Sequence, residues 1–204
     1  MRDKGVRNVK RKGNVFLYTI GGLIAVILLV AVFFAGAYNG LVSADIEVDQ
    51  AWGVVQSKLQ RRYDLIPNLV NSVKGYMAQE MDLLTEITDA RSQWGASLGK
   101  PVTDQVENAN ALENVLSRLM MVVTSENYPE LKSDALVLEL MDELAGTENR
   151  ISVERDRYNG AVAKYNKMVR SFPSSIVANM NGMAIREMFE ASDYAQGAPV
   201  VSFE

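Results

Sequence analysis

Residues 51–80, AWGVVQSKLQRRYDLIPNLVNSVKGYMAQE, hold two helical signals and the break between them. Val48, Trp52, Val55, Leu59 and Ile66 recur every three to four residues, the period of one helix face. Leu69, Val73, Tyr76, Leu83, Ile87 and Trp94 keep that period downstream. Asp64-Leu65-Ile66-Pro67 stands between the runs. Proline costs least in the first turn of a helix, where its missing N–H deprives no carbonyl of a partner. The spacing therefore predicts two amphipathic helices joined by a tight reversal at 64–67, with their apolar stripes facing each other.

Upstream, Val15–Ala37 is an uncharged run, VFLYTIGGLIAVILLVAVFFAGA, long enough at about 1.5 Å per residue to cross a hydrocarbon core of roughly 30 Å. It reads as a transmembrane helix. Ala35-Gly36-Ala37 has the form of a signal-peptidase site, but the run exceeds the roughly 7–15 apolar residues of a signal peptide. Residues 1–14 form a basic tail, with Arg2, Lys4, Arg7, Lys10, Arg11 and Lys12 against Asp3, and no further cation follows the span before Lys58. The positive-inside rule then puts the N-terminus in the cytoplasm and the rest of the chain outside it, a single-pass protein of the cell membrane.

Downstream, Gly95 to Pro101 breaks the second helix, and Thr103 or Asp104 is a candidate cap for a third with Val106, Ala109, Leu112, Leu116, Leu119 and Val123 on one stripe. Asn127-Tyr128-Pro129 stops it. From Ser133 or Asp134 a long fourth helix carries Val137, Leu144, Ile151, Tyr158, Val162, Tyr165, Val169 and Phe172, up to Pro173. No alternating strand pattern competes. The expected fold is all-α: a transmembrane helix over 15–37, an antiparallel up-down four-helix bundle over 38–172, and an apolar tail over 173–204.

The chain has no cysteine and no histidine, which excludes disulfides, thiolate and imidazole catalysis and the usual zinc sites. With 6 of 21 cations and one of 25 acids in residues 1–14, residues 38–204 hold 15 basic and 24 acidic side chains. Such an acidic domain is a poor ligand for nucleic acid, whose phosphates are bound chiefly by Lys and Arg. Phosphate loops, nucleophile elbows and metalloprotease motifs are absent. The expectation is a protein that is not an enzyme and takes no cofactor or metal.

Charged residues on the apolar stripes say most about the interior. Counting in threes and fours places Arg62, Glu80, Glu148 and Arg155 inward, and they are expected to meet in one layer. A carboxylate site for metal or acid/base chemistry is the alternative, but two arginines in the layer oppose a cation, and buried charges are usually paired. Tyr158 and Tyr165, two turns apart, fit core packing with the hydroxyl at the rim.

Several separated motifs occur in an order that resembles the LemA family: AW at 51–52, QRRYDLIPNLV at 60–70, VKGY at 73–76, YPELK at 128–132, GTENRI at 146–151, RYN at 157–159 and SFP at 171–173. The residues carrying the likeness are Trp52, Arg61, Arg62, Asp64, Pro67, Asn68, Tyr128, Pro129, Glu148, Asn149, Arg150, Tyr158 and Asn159. It covers about Tyr38 to Phe203. The resemblance implies a membrane-anchored bacterial protein with a long antiparallel bundle, a poorly defined role and no recognised catalytic residues. Gln79 replaces a histidine of the family pattern, and Val137 stands where an aromatic is common, so any chemistry resting on that histidine is lost.

The reading is a scaffold or adaptor that presents helix faces to another envelope or membrane protein, with the bilayer as its other partner and self-association as an option. Its rivals are a membrane-remodelling protein that self-assembles and a hydrolase using Glu80 or Ser/Lys chemistry. The tail is expected either to fold back over one end of the bundle, since soluble surfaces seldom expose a large contiguous apolar patch, or to bind a partner, through Ile176, Met180, Met183, Met188 and Phe189. Pro173, Gly182, Gly197 and Pro199 punctuate it too heavily for a fifth long helix, and methionine adapts to varied partners.

Overall fold

A computed structural model describes residues 5–125 and 128–189, with side chains from Leu17 onward. The basic tail's side chains, Asn127, and Gly197, Pro199 and Phe203 of the C-terminal tail lie outside the described residues. The described chain is all helix, turn and extended segment: α1 (Gly5–Val73), α2 (Met81–Ser97), α3 (Val102–Thr124), α4 (Ala135–Arg170) and the short α5 (Ser174–Met180), with single helical turns at Ala78–Glu80 and Leu131–Ser133.

The reversal expected at 64–67 is not there. α1 runs straight through Pro67, and the chain turns at Lys74–Met77, where the Met77 N–H still bonds the Val73 carbonyl. A mid-helix proline strips the carbonyl four residues back of its donor. Here that carbonyl is Tyr63, and the Nε–H of Arg91 on α2 donates to it at 3.2 Å. The Arg91 guanidinium also stacks on the Tyr63 ring, 3.8 Å from its centroid. Leu65, Ile66, Leu69 and Val73 are all buried on either side of the proline, so continuing the helix gains apolar burial that a corner at 64–67 would forgo.

Two compact units share α1 and α4: the chain through Ile46 with Tyr165–Ile185, and Glu47–Lys164 with the chain from Arg186. The boundaries at 46/47 and 164/165 fall inside α1 and α4, and the one at 185/186 in the segment after α5.

In the first unit the α1 side chains from Leu17 to Phe33 are exposed to the last one, and an 18-residue window there has mean hydropathy 2.7 with none of it buried. A helix so apolar and so uncovered by protein is suited to lipid. Further along, Leu41 packs on Val177 and Ala178 of α5.

The second unit is the bundle proper. Along α1, positions 48, 52, 55, 59, 62, 66, 69 and 73 alternate steps of four and three and are all buried, the seam spacing of packed helices. α4 runs antiparallel to α1, since Glu47 pairs with Lys164 and Arg61 with Glu143. The Tyr63–Trp94 ring contact joins α1 to α2, Arg118–Glu86 joins α2 to α3, and Arg155–Glu113 joins α3 to α4. Gly95 lets α2 approach α1, because a Cβ there would lie 3.2 Å from the Tyr63 hydroxyl. Gly99, at φ +82°, makes the left-handed turn into α3. Asp134 caps α4 by accepting the N–H groups of Leu136 and Val137 at 3.0 and 3.2 Å. Phe172, expected on the α4 stripe, is 81% exposed, because the helix ends at Arg170 before its period reaches 172.

Candidate functional site

The α1 seam is apolar except at Arg62, which the helix period carries inward until the residue is 3% exposed. A guanidinium there needs counter-charge from the helices around it. Glu148 of α4 forms an ion pair with Arg62 Nη2. Glu113 of α3 sets its Oε2 3.9 Å from Arg62 Nη1 and accepts from Arg155 Nη2 at 2.8 Å through the same oxygen. Two cations and two anions thus bridge α1, α3 and α4 with no net charge. Burial still lowers the Arg62 guanidinium to about 10, Glu113 pulling it back up and Arg155 adding to the fall, so it stays charged at neutral pH. The adjoining cavity, about 50 Å³ lined by Arg62, Glu113, Ser117, Met120, Leu144 and Glu148, has room for water but not for a metabolite, which needs about 300 Å³ or more. Each carboxylate faces a guanidinium, an arrangement that sets helix register and offers no free base.

Glu80 is not in this layer. Its inward placement assumed unbroken helix from Tyr76 to Leu83, and the chain is in a turn there, where helical counting does not apply. It is half-buried and accepts the Tyr128 hydroxyl at 3.4 Å. Tyr76, likewise expected in the core, is exposed, and its hydroxyl donates to Asp134 Oδ2 at 3.2 Å. That bond, foremost, raises the Tyr76 hydroxyl above its ordinary range. The VKGY and YPELK motifs are therefore two halves of one joint, tying the α1–α2 turn to the α3–α4 loop.

A third joint holds the segment Arg186–Phe189 against α1 and α4. Asn159 makes a two-way clamp on the peptide of Phe189: its Oδ1 accepts the N–H at 2.8 Å and its Nδ2 donates to the carbonyl at 3.0 Å. The Phe189 ring lies 5.6 Å from Trp52 and 5.7 Å from Tyr158, which themselves meet at 5.5 Å. Arg155 lies over the Phe189 ring at 5.1 Å. The Tyr158 hydroxyl donates to the Glu187 carbonyl at 3.0 Å, and Arg186 pairs with Asp49 at 3.2 Å. Of the two expectations for the tail, Phe189 follows the fold back onto the bundle and not the partner surface: it is 6% exposed, because the aromatic pocket and the asparagine clamp take both its ring and its peptide. Ile176, Met180 and Met188 are exposed and Met183 is half-buried.

Of the other motif positions, Arg61 makes a surface ion pair with Glu143, and Asp64 accepts from Gln60 at 2.8 Å. The Asn68 carbonyl accepts the Ser72 hydroxyl at 2.9 Å, and Pro129, Asn149 and Arg150 are exposed. Sequence reasoning missed Glu113, because Glu80 and Glu148 had already balanced the two inward arginines; the signal that could have found it is that Glu113 flanks Leu112 on the α3 stripe. It also missed the Asn159 clamp: the RYN motif singled out Asn159, but nothing near it in sequence names the Phe189 peptide as its partner.

The geometry defines an all-α membrane protein whose characteristic side chains are spent on joints between antiparallel helices. A profile of the LemA family matches residues 51–203, and the chain belongs to that family. It is 25% identical to Protein LemA of Metamycoplasma hominis, with 82% of this chain and 76% of that protein covered. It is 24% identical to Magnetosome protein MamQ 2 of Paramagnetospirillum magneticum, over 94% of this chain and 78% of the relative. Magnetosome protein MamQ of Magnetospirillum gryphiswaldense is also 24% identical, over 81% and 68%.

Proposed function

We propose that this protein is a non-catalytic scaffold of the cell envelope: α1 anchors it, the N-terminus faces the cytoplasm, and the bundle outside presents helix faces to another membrane or envelope protein. The observation that carries the reading is where its inward motif residues go. Trp52, Arg62, Glu148, Tyr158 and Asn159 all serve joints inside the bundle. Meanwhile the bundle leaves Met121, Leu136 and Val153 about half exposed, apolar side chains available to a partner. Photo-crosslinking residues introduced at these three positions in cells should capture a recurrent protein partner by mass spectrometry. Capture of nothing beyond random neighbours at all three would reject the scaffold. A second reading, self-assembly that shapes a membrane, is favoured by relatives named as magnetosome proteins. It requires crosslinks between copies and a lipid-dependent oligomer.

A further inference from the structure

α5 has two unlike sides. Val177 and Ala178 are buried against Leu41, with Phe34 and Ala37 packed around them. On the other side Ile176 and Met180, one turn apart, are 41% and 76% exposed, and Phe172 just upstream is 81% exposed. Side chains of this size rarely stay in water together without a reason. The position of α5 supplies one. Phe34 and Ala37 belong to the last turn of the uncharged run Val15–Ala37, and at 1.5 Å per residue Phe34 lies only about 4–5 Å inside its end.

We propose that α5 and the turn before it are a second membrane contact, with Phe172, Ile176 and Met180 set into the edge of the leaflet from which α1 emerges. Interfacial helices sink their apolar face about 5–10 Å below the headgroups, which matches the level at which α5 meets α1. Lys167 and Arg170 are exposed in the last turn of α4, immediately before Phe172, where their long stems let the charges reach lipid phosphates. Tyr38, 43% exposed at the same level of α1, suits the aromatic belt of an interface. A mostly apolar cleft of about 330 Å³ lined by Phe34, Ala35, Tyr38, Val177, Met180 and Asn181 offers an acyl chain a place to lie. All these residues belong to one compact unit. The occupant is lipid and not protein because the exposed face continues a surface that the α1 run already commits to the bilayer. The proposal rests on α1 spanning the membrane.

The chain has no cysteine, so single introduced thiols are unique. Nitroxide labels at Phe172→Cys and Met180→Cys, in the full-length chain in phosphatidylcholine–phosphatidylglycerol vesicles, are compared with Leu29→Cys in the span and Asn149→Cys on the exposed surface of α4. Power saturation should give Phe172 and Met180 a ratio of oxygen to water-soluble nickel collisions several-fold above Asn149 and below Leu29. If both match Asn149 while Leu29 is lipid-exposed, the α5 proposal is overturned and the anchor stands. If Leu29 also matches Asn149, the anchor fails and the proposal with it. Shielding from both reagents, with spin–spin broadening that unlabelled chain removes, would mean a second copy covers the face and would overturn lipid contact.

Discussion

Replacing Glu113 with glutamine tests the charged layer at its most connected member. One oxygen of Glu113 serves both Arg155 at 2.8 Å and Arg62 at 3.9 Å. With an effective dielectric of 20 these separations correspond to attractions of about 6 and about 4 kcal/mol before desolvation is counted. Arg155 is 13% exposed and regains some hydration, but Arg62, at 3%, cannot. The net loss should therefore fall at about 3–5 kcal/mol, as for other buried charges stripped of a partner. In a domain of this size that is roughly 6–20 °C in melting temperature, read from helical circular dichroism of the full chain in detergent. Glu80→Gln is the comparison, since Glu80 is half-buried and accepts a long 3.4 Å bond from Tyr128; it should cost under about 1 kcal/mol. Replacing Glu113 and Arg155 together by leucine and methionine leaves the Arg62–Glu148 pair neutral and should restore at least about 2 kcal/mol of the single loss. Glu113→Gln melting with wild type, or a double variant no better than the single, would refute the layer as a network.

Arg91→Met removes the donor to the Tyr63 carbonyl and should cost about 1–2 kcal/mol, but clearly less in a Pro67→Ala background, where the helix supplies that N–H itself; equal costs in a double-mutant cycle would mean Arg91 does not compensate the proline. Phe189→Ala should destabilise by about 3–5 kcal/mol in the same melt, because the ring fills a pocket between Trp52 and Tyr158, and no change would mean the segment is only loosely laid on the bundle. Truncation after Ser174 removes both Phe189 and α5 and should lower the melting temperature further than Phe189→Ala alone. A cysteine at Lys100, in the α2–α3 turn, should react with an impermeant maleimide on intact spheroplasts; reaction only after permeabilisation would invert the proposed topology.

The amino-acid sequence determined every feature that depends on a residue and its near neighbours. An uncharged apolar run long enough to span a bilayer marks a candidate membrane helix, and apolar spacing of three and four sets which face of each helix turns inward, Arg62 included. It could not place the corner. Proline at 67 argues for a break only while the Tyr63 carbonyl is considered alone, and the donor that removes the penalty, Arg91, comes from the next helix. Once the turn moves to 74–77, the helical count through Glu80 loses its meaning, and the second anion of the layer, beside Glu148, becomes Glu113 from a helix distant in sequence. Phe189 shows the same division: its hydrophobicity was plain, but whether it meets a partner or the protein itself depended on Trp52, Tyr158 and the amide of Asn159 converging from two helices. Periodicity is local and fixes direction. The choice of partner is set by side chains that only packing brings together, and there the tertiary structure alone decided.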